Sequence, residues 1–417
     1  MSNGIRVRLS FMMFLEFFIW GAWFVTLGTY LGSNLGASGT QISAAFSTQS
    51  LGAIIAPFII GLIADRYFNA EKILGLLHLL GAVMMFMMYN AADFTAFYPF
   101  VLAYMILFMP TLALVNSVSF NQMLDPAKDF AVIRVWGTIG WIAAGLTISY
   151  VFFWDSQVGL DEGMLRNTFL MASIAALILG LYSFTLPPNP PKADKSKKLT
   201  LSEILGLDAL GLLKDRNFAV FFITSILICI PLSFYYQITN PFLADIGVPN
   251  PTGLMTIGQG SEVLFMLLLP LFFSRYGIKK TLLFGMFAWV VRYVLFAYGD
   301  AGSGMFMLLI GIGLHGICYD FFFVSGQIYT DSKAGIKFKS AAQGMITLAT
   351  YGVGMLIGYY VAGLVSDAFL SQNGLNDWQS IWLIPAGIAM AVVIFFLVFF
   401  KEQDLKKGKK QLKEAIK

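Results

Sequence analysis

The chain has 417 residues, of which 58% are hydrophobic and 12% charged, with 40 glycines and 40 phenylalanines. A soluble domain carries about twice that charged fraction, and a single core cannot hide so much apolar surface. The net charge of +4 comes from cations in short loops and a tail. An ordinary soluble enzyme, a disordered chain and a nucleic-acid binder are therefore excluded, leaving an integral membrane protein.

A helix needs ~20 apolar residues to cross the hydrocarbon. Twelve segments qualify, at roughly 9–31, 43–64, 73–91, 98–123, 130–154, 165–186, 218–242, 252–274, 280–298, 304–329, 339–368 and 378–400. The runs are continuous rather than alternating, which excludes a β-barrel. Arg6 and Arg8 precede a first run too long for a signal peptide, so it reads as the first membrane helix. Cys229 and Cys318 lie inside apolar runs, and His78 and His315 are the only histidines. These point to no disulfide framework and no metal site.

An even number of spans puts both termini on one side. That side then holds 24 of the 27 Lys and Arg residues; the other holds only Arg166, while Arg134 and Arg292 fall inside helices. The asymmetry places both termini in the cytoplasm. The longest polar connection begins Pro187-Pro188-Asn189-Pro190-Pro191 and carries Lys192, Lys195, Lys197 and Lys198. Thr200-Leu201-Ser202-Glu203 reads as a capping box opening a short interfacial helix. The expected architecture is all-α: a six-helix bundle over 1–186, a cytoplasmic linker over 187–217, a second bundle over 218–400 and a basic tail over 401–417. Such a layout suits a secondary transporter.

Ionisable groups in hydrocarbon are costly and mark function by default. Glu16 shares a helix face with Trp20 and Trp23, and suits either substrate contact, a second protonation site or a polar contact between helices. Gly61 to Tyr67 resembles the G-x-x-x-D-R loop signature of the major facilitator superfamily, and Asp65 and Arg66 would bias a gate. In helix 5, Arg134, Thr138 and Trp141 follow i, i+4, i+7 and form one stripe, unless Arg134 only snorkels to the interface. Helix 7 carries Ser233, Tyr235, Tyr236, Gln237 and Asn240 just after Pro231, aromatic rings and amides that suit a planar ligand.

Gln259 and Glu262 in helix 8 are three residues apart and can address one cavity, suited to a polyol or the edge of a nucleobase. Arg292 in helix 9 reads as structural. In helix 10, Asp320 can exchange a proton or pair with a cation, and His315 and Tyr319 share a face at i, i+4. Gly311 to Gly316 spells G-x-G-x-x-G, but it lies mid-membrane, where small residues serve helix packing rather than a dinucleotide.

Several runs together resemble the nucleoside/proton symporter family of the major facilitator superfamily. They are Met109 to Leu112, Arg134 to Gly140, Gly206 to Ala209, Ser274 to Lys279, Phe296 to Asp300, Ala342 to Met345, and Asn373-Gly374 through Asp377-Trp378-Gln379. The resemblance implies that Arg134, Thr138, Gln259 and Glu262 contact a nucleoside and that Asp320, preceded by Tyr319, is linked to transport. Two positions depart from the family. Its nucleoside-contacting Gln and Asn of helix 7 correspond to Ser233 and Tyr236, and Glu16 replaces an amide.

The expected function is a proton-coupled nucleoside importer working by alternating access, with a sugar or other polyol symporter as the alternative. The expected substrate contacts are Arg134, Thr138, Trp141, Ser233, Tyr236, Gln259, Glu262, His315 and Tyr319, and the expected proton sites are Asp320, Glu262 and Glu16. The proton is the coupling ion, and no other cofactor or metal is expected. The chain is expected to act as a monomer in a bacterial inner membrane, with lipid, nucleoside and protons as partners and no nucleic acid. An intramembrane enzyme lacks a nucleophile–base constellation in the sequence, and a non-transporting receptor would bind nucleoside without accumulating it.

Overall fold

The computed structural model describes residues 2–59, 67–123, 126–191 and 207–401. Among them regular structure is helical, apart from one isolated bridge between Leu370 and Asn376. The loop with Asp65 and Arg66, the predicted interfacial helix and most of the basic tail lie outside the described residues.

The helices accommodate the twelve predicted segments. Helix 1 runs Asn3–Gly21 and resumes after a turn as Leu27–Leu35. Helices 2 to 7 are Gly39–Ile59, Ala70–Tyr89, Phe94–Asn121, Pro126–Leu146, Asn167–Ser183 and Arg216–Asp245. Helices 8 and 9 share the stretch Pro251–Tyr298, which is broken at Gly277, where φ is 73°. Helix 10 begins at Met305, and Gly335, at φ 62°, separates it from helix 11, which ends at Ala368. Helix 12 is Trp378–Phe399. Both breaks use the left-handed region that glycine enters without strain.

Polar caps set several starts. The Asp93 carboxylate accepts the Ala96 N–H at 2.8 Å, and Asp377 accepts that of Ser380 at 3.2 Å. Asp215 accepts the Phe218 N–H at 3.1 Å and pairs with Lys333 at 2.7 Å. Burial alone would raise the Asp215 carboxyl, but the Lys333 ammonium and the Phe218 and Asn217 N–H groups hold it below the usual carboxylate range.

The described residues fall into two compact units, one drawn from Met1–Thr200 with Tyr236–Thr256, the other from Leu201–Tyr235 with Ile257–Lys417. In the first, helix 1 packs on helix 5, and helix 3 on helices 4 and 6. A Cβ at Gly140 would collide with the Phe14 carbonyl, so the backbones of helices 1 and 5 meet there. Leu80, Val83, Ile174 and Leu181 are exposed and apolar. The stretch 236–256 is tied in by polar contacts. Thr29 bonds Asn240 at 2.5 Å, and Asn240 bonds Thr252 at 3.0 Å. Asp155 accepts the Thr252 N–H at 2.9 Å and the Ser149 hydroxyl at 2.6 Å, so a carboxylate from the loop after helix 5 caps helix 8.

In the second unit, helices 9 and 10 run antiparallel in constant register, with close approaches at Gly299 to Leu308, Phe296 to Gly311, Arg292 to His315 and Gly285 to Phe322. Helix 10 meets helix 8 backbone to backbone: a Cβ at Gly316 would lie 2.5 Å from the Ser261 carbonyl oxygen and 2.7 Å from the Glu262 nitrogen. Ser233 ties helix 7 to the Met355 carbonyl of helix 11 at 3.3 Å.

Candidate functional site

Each unit holds a group of polar and aromatic residues at mid-helix. In the first, the Arg134 guanidinium lies 4.1 Å from the centroid of the Phe17 ring. Trp141 and Trp20 meet edge to face at 5.5 Å, and Phe24 meets Tyr236 at 6.0 Å. Arg134, Thr138, Trp141, Trp20 and Tyr236 are all half-buried. A guanidinium, a hydroxyl and aromatic faces thus line one stretch, offering planar donors and stacking surfaces together.

Glu16, on helix 1, is fully buried. One of its oxygens shares a hydrogen bond with His78 Nε2 at 2.8 Å, and the other accepts from the Thr111 hydroxyl at 2.6 Å. The sequence reading left its partner open and did not connect His78 to it. The signal was present, because a buried acid needs a partner and His78 is the only histidine in the first half of the chain.

In the second unit, Tyr235, His315 and Tyr319 form a run of near-parallel rings, with centroids 5.0 Å and 6.0 Å apart. The Tyr319 hydroxyl bonds that of Tyr351 at 2.7 Å. Arg292 is fully buried, with its guanidinium 3.5 Å from the Tyr235 centroid and its NH1 group 3.3 Å from His315 Nδ1. Arginine only donates, so Nδ1 accepts and a neutral His315 carries its proton on Nε2. Gln259 and Glu262 are half-buried, and the crossing at Gly316 brings the Glu262 backbone beside this ring stack.

Asp320 lies at the start of a five-residue π-turn, Asp320–Val324. It is fully buried, and neither carboxyl oxygen has a hydrogen-bond partner. Glu262 is near enough to act on it electrostatically. A buried carboxylate without a partner is far costlier than the neutral acid, and π-turns recur at functional sites. Ser233 is fully buried and spends its hydroxyl on backbone carbonyls of helices 7 and 11.

Residues 3–405 match the family profile described as nucleoside H+ symporter. The chain is 42% identical to YegT of Escherichia coli (strain K12), over 95% of this chain and 94% of that protein. It is 36% identical to the xanthosine permease of the same strain, over 95% and 96% of the two chains. It is 33% identical to the nucleoside permease NupG of that strain, over 97% of each. A crystal structure of NupG superposes with a TM-score of 0.85, covering 96% of this chain and all of that one. With nine helices among the described residues long and apolar enough to cross a membrane, and with a profile match over residues 3–405, the chain belongs to the nucleoside H+ symporter family.

Proposed function

We propose that this chain imports nucleosides together with protons by alternating access, without converting them chemically. The observation that carries the reading is Asp320, a fully buried carboxyl with two unpartnered oxygens, in a member of a proton symporter family. A carrier of protons must be stable both charged and neutral as the cycle proceeds. Asp320 is the proposed coupling residue, with Glu262 as substrate contact and second candidate. Glu16 is the third candidate, and the weakest, because both its oxygens are already bound.

The proposed substrate contacts are Arg134, Thr138, Trp141 and Tyr236 in one unit and Ser233, Gln259, Glu262, His315 and Tyr319 in the other. Ser233 contributes by packing, since its hydroxyl is committed to carbonyls. Asp65 and Arg66 are proposed gate residues. The proposed organisation is a monomer in the bacterial inner membrane, with bundles over 1–186 and 218–400, the linker 187–217 and the tail 401–417, and with both termini cytoplasmic.

Uptake of labelled nucleosides into proteoliposomes, with and without a pH gradient, tests the reading. Nucleosides should accumulate only with the gradient. Nucleotides should not compete, because the acids Glu262 and Asp320 would repel a phosphate. Equal competition by nucleotides, or by sugars without a base, would overturn the substrate assignment.

A further inference from the structure

Arg292 is a second unbalanced charge in the same unit as Asp320. It is fully buried, and among the described residues its Nε and NH2 groups have no hydrogen-bond partner. The groups facing it are Tyr235 from helix 7, His315 and Cys318 from helix 10, and Trp289, Tyr293 and Phe296 from its own helix. No carboxylate pairs with it among the described residues. A guanidinium stays charged at any physiological pH, and burying it without a counter-ion is costly. Stacking on Tyr235 recovers only part of that. Helix 9 continues to Tyr298, about two turns further. The side chain nevertheless remains folded inward over the Tyr235 ring.

The register of helices 9 and 10 says what is within its reach. The Arg292–His315 and Gly285–Phe322 approaches place Asp320 level with Phe287, five residues along helix 9 from Arg292. At 1.5 Å per residue this is an offset of ~7.5 Å along the helix axis, so a contact requires the arginine to swing along and around the helix from its place on the Tyr235 ring. The π-turn that starts at Asp320, with its i→i+5 bonds, is a local underwinding of the helix. Glu262, the ionisable neighbour of Asp320 among the described residues, is also an acid and offers no counter-charge.

We infer that Arg292 is the positioning residue that receives the Asp320 carboxylate once its proton has left, exchanging its contact with His315 and the Tyr235 ring for an ion pair. With the proton on, Asp320 is neutral and Arg292 rests on the ring stack, the arrangement seen here. With the proton off, the two unbalanced charges neutralise each other. The exchange also withdraws a donor from His315, so the state of the proton site is transmitted to the Tyr235–His315–Tyr319 stack. The inference rests on Asp320 being the coupling residue.

The test is pH-dependent uptake and counterflow in proteoliposomes for Arg292→Met, Arg292→Lys, Asp320→Asn and the double variant Arg292→Met/Asp320→Asn. Without the cation the proton is held to higher pH. The internal pH for half-maximal accumulation in Arg292→Met should therefore rise by at least ~1 unit, a tenfold tighter hold on the proton. Accumulation should recover when the interior is made more alkaline. Arg292→Lys should keep most of the native profile, and the double variant should behave like Asp320→Asn alone. An unshifted profile in Arg292→Met, or additive losses in the double variant, would overturn the role of Arg292. Should Arg292→Met not fold, the Lys and double variants decide: a Lys profile displaced as far as neutralisation predicts, or a folded double variant with counterflow well below Asp320→Asn, counts against it. Proton-driven accumulation surviving in Asp320→Asn would instead overturn the coupling assignment itself.

Discussion

Glu16 and Asp320 are both fully buried acids in the middle of membrane helices, yet their surroundings are opposite. Glu16 has a histidine on one oxygen and a threonine on the other, so it joins helices 1, 3 and 4 of its unit. Asp320 has neither oxygen bound, and the cation nearest in register is turned away onto an aromatic ring. A buried charge with partners is an element of structure, and removing one partner is penalised because the other is stranded. A buried acid without partners favours its neutral form in this arrangement, so giving up its proton calls for new partners elsewhere in the cycle. The two acids look alike in composition and in hydropathy, and only their partners separate them.

The sharpest test of that contrast is Asp320→Asn. One proton crossing 100 mV supplies ~2.3 kcal/mol, enough for roughly a 50-fold gradient. The Asn variant should lose that accumulation, measured as the ratio of internal to external labelled nucleoside. Glu16→Gln should keep most of it. If instead Glu16→Gln abolishes coupling while Asp320→Asn preserves it, the assignment of roles is reversed.

The complementary test removes a partner rather than an acid. His78→Ala leaves Glu16 with Thr111 as its one remaining side-chain partner and should cost up to about 3–5 kcal/mol, read as a lower melting temperature in detergent. The added change Glu16→Gln should return much of that loss, since no charge is then left alone. A His78→Ala protein as stable as the parent would mean the pair contributes nothing to the fold.

The smallest expected effect is at the rim of the second unit. Asp215 is held below its usual range while it caps helix 7 and pairs with Lys333. A depressed folded-state value adds stability above the unfolded value of ~3.9 and loses it as the pH falls through the folded value. Asp215→Asn should therefore destabilise at neutral pH by no more than ~1 kcal/mol, because the pair is partly exposed. The gap between parent and variant should close as the pH falls well below 4. A gap that stays constant across that window would assign the effect to packing instead of charge.

Much of the candidate site was legible in the chain. Arg134, Thr138, Gln259, Glu262 and Asp320 stand out because polar groups within apolar runs are few. The departures at Ser233 and Tyr236 were also legible, though not that Ser233 is used up by carbonyls of helices 7 and 11. The pairing of Glu16 with His78 was missed because it joins residues 62 positions apart, with no periodic spacing between them. Arg292 was read as structural from its distance to a helix end. Its stacking on Tyr235 depends on a helix that lies far away in sequence.

The sequence by itself determined the class, the spans and the family. Hydrocarbon accepts only backbones that satisfy their own hydrogen bonds, so length and hydropathy alone decide where helices run. Motifs in both halves carried the rest. What only the tertiary structure decided is which buried polar groups are satisfied. That property belongs to pairs of helices rather than to any one of them. It is set where Gly140 and Gly316 let backbones touch, bringing side chains within the ~3 Å at which a hydrogen bond forms.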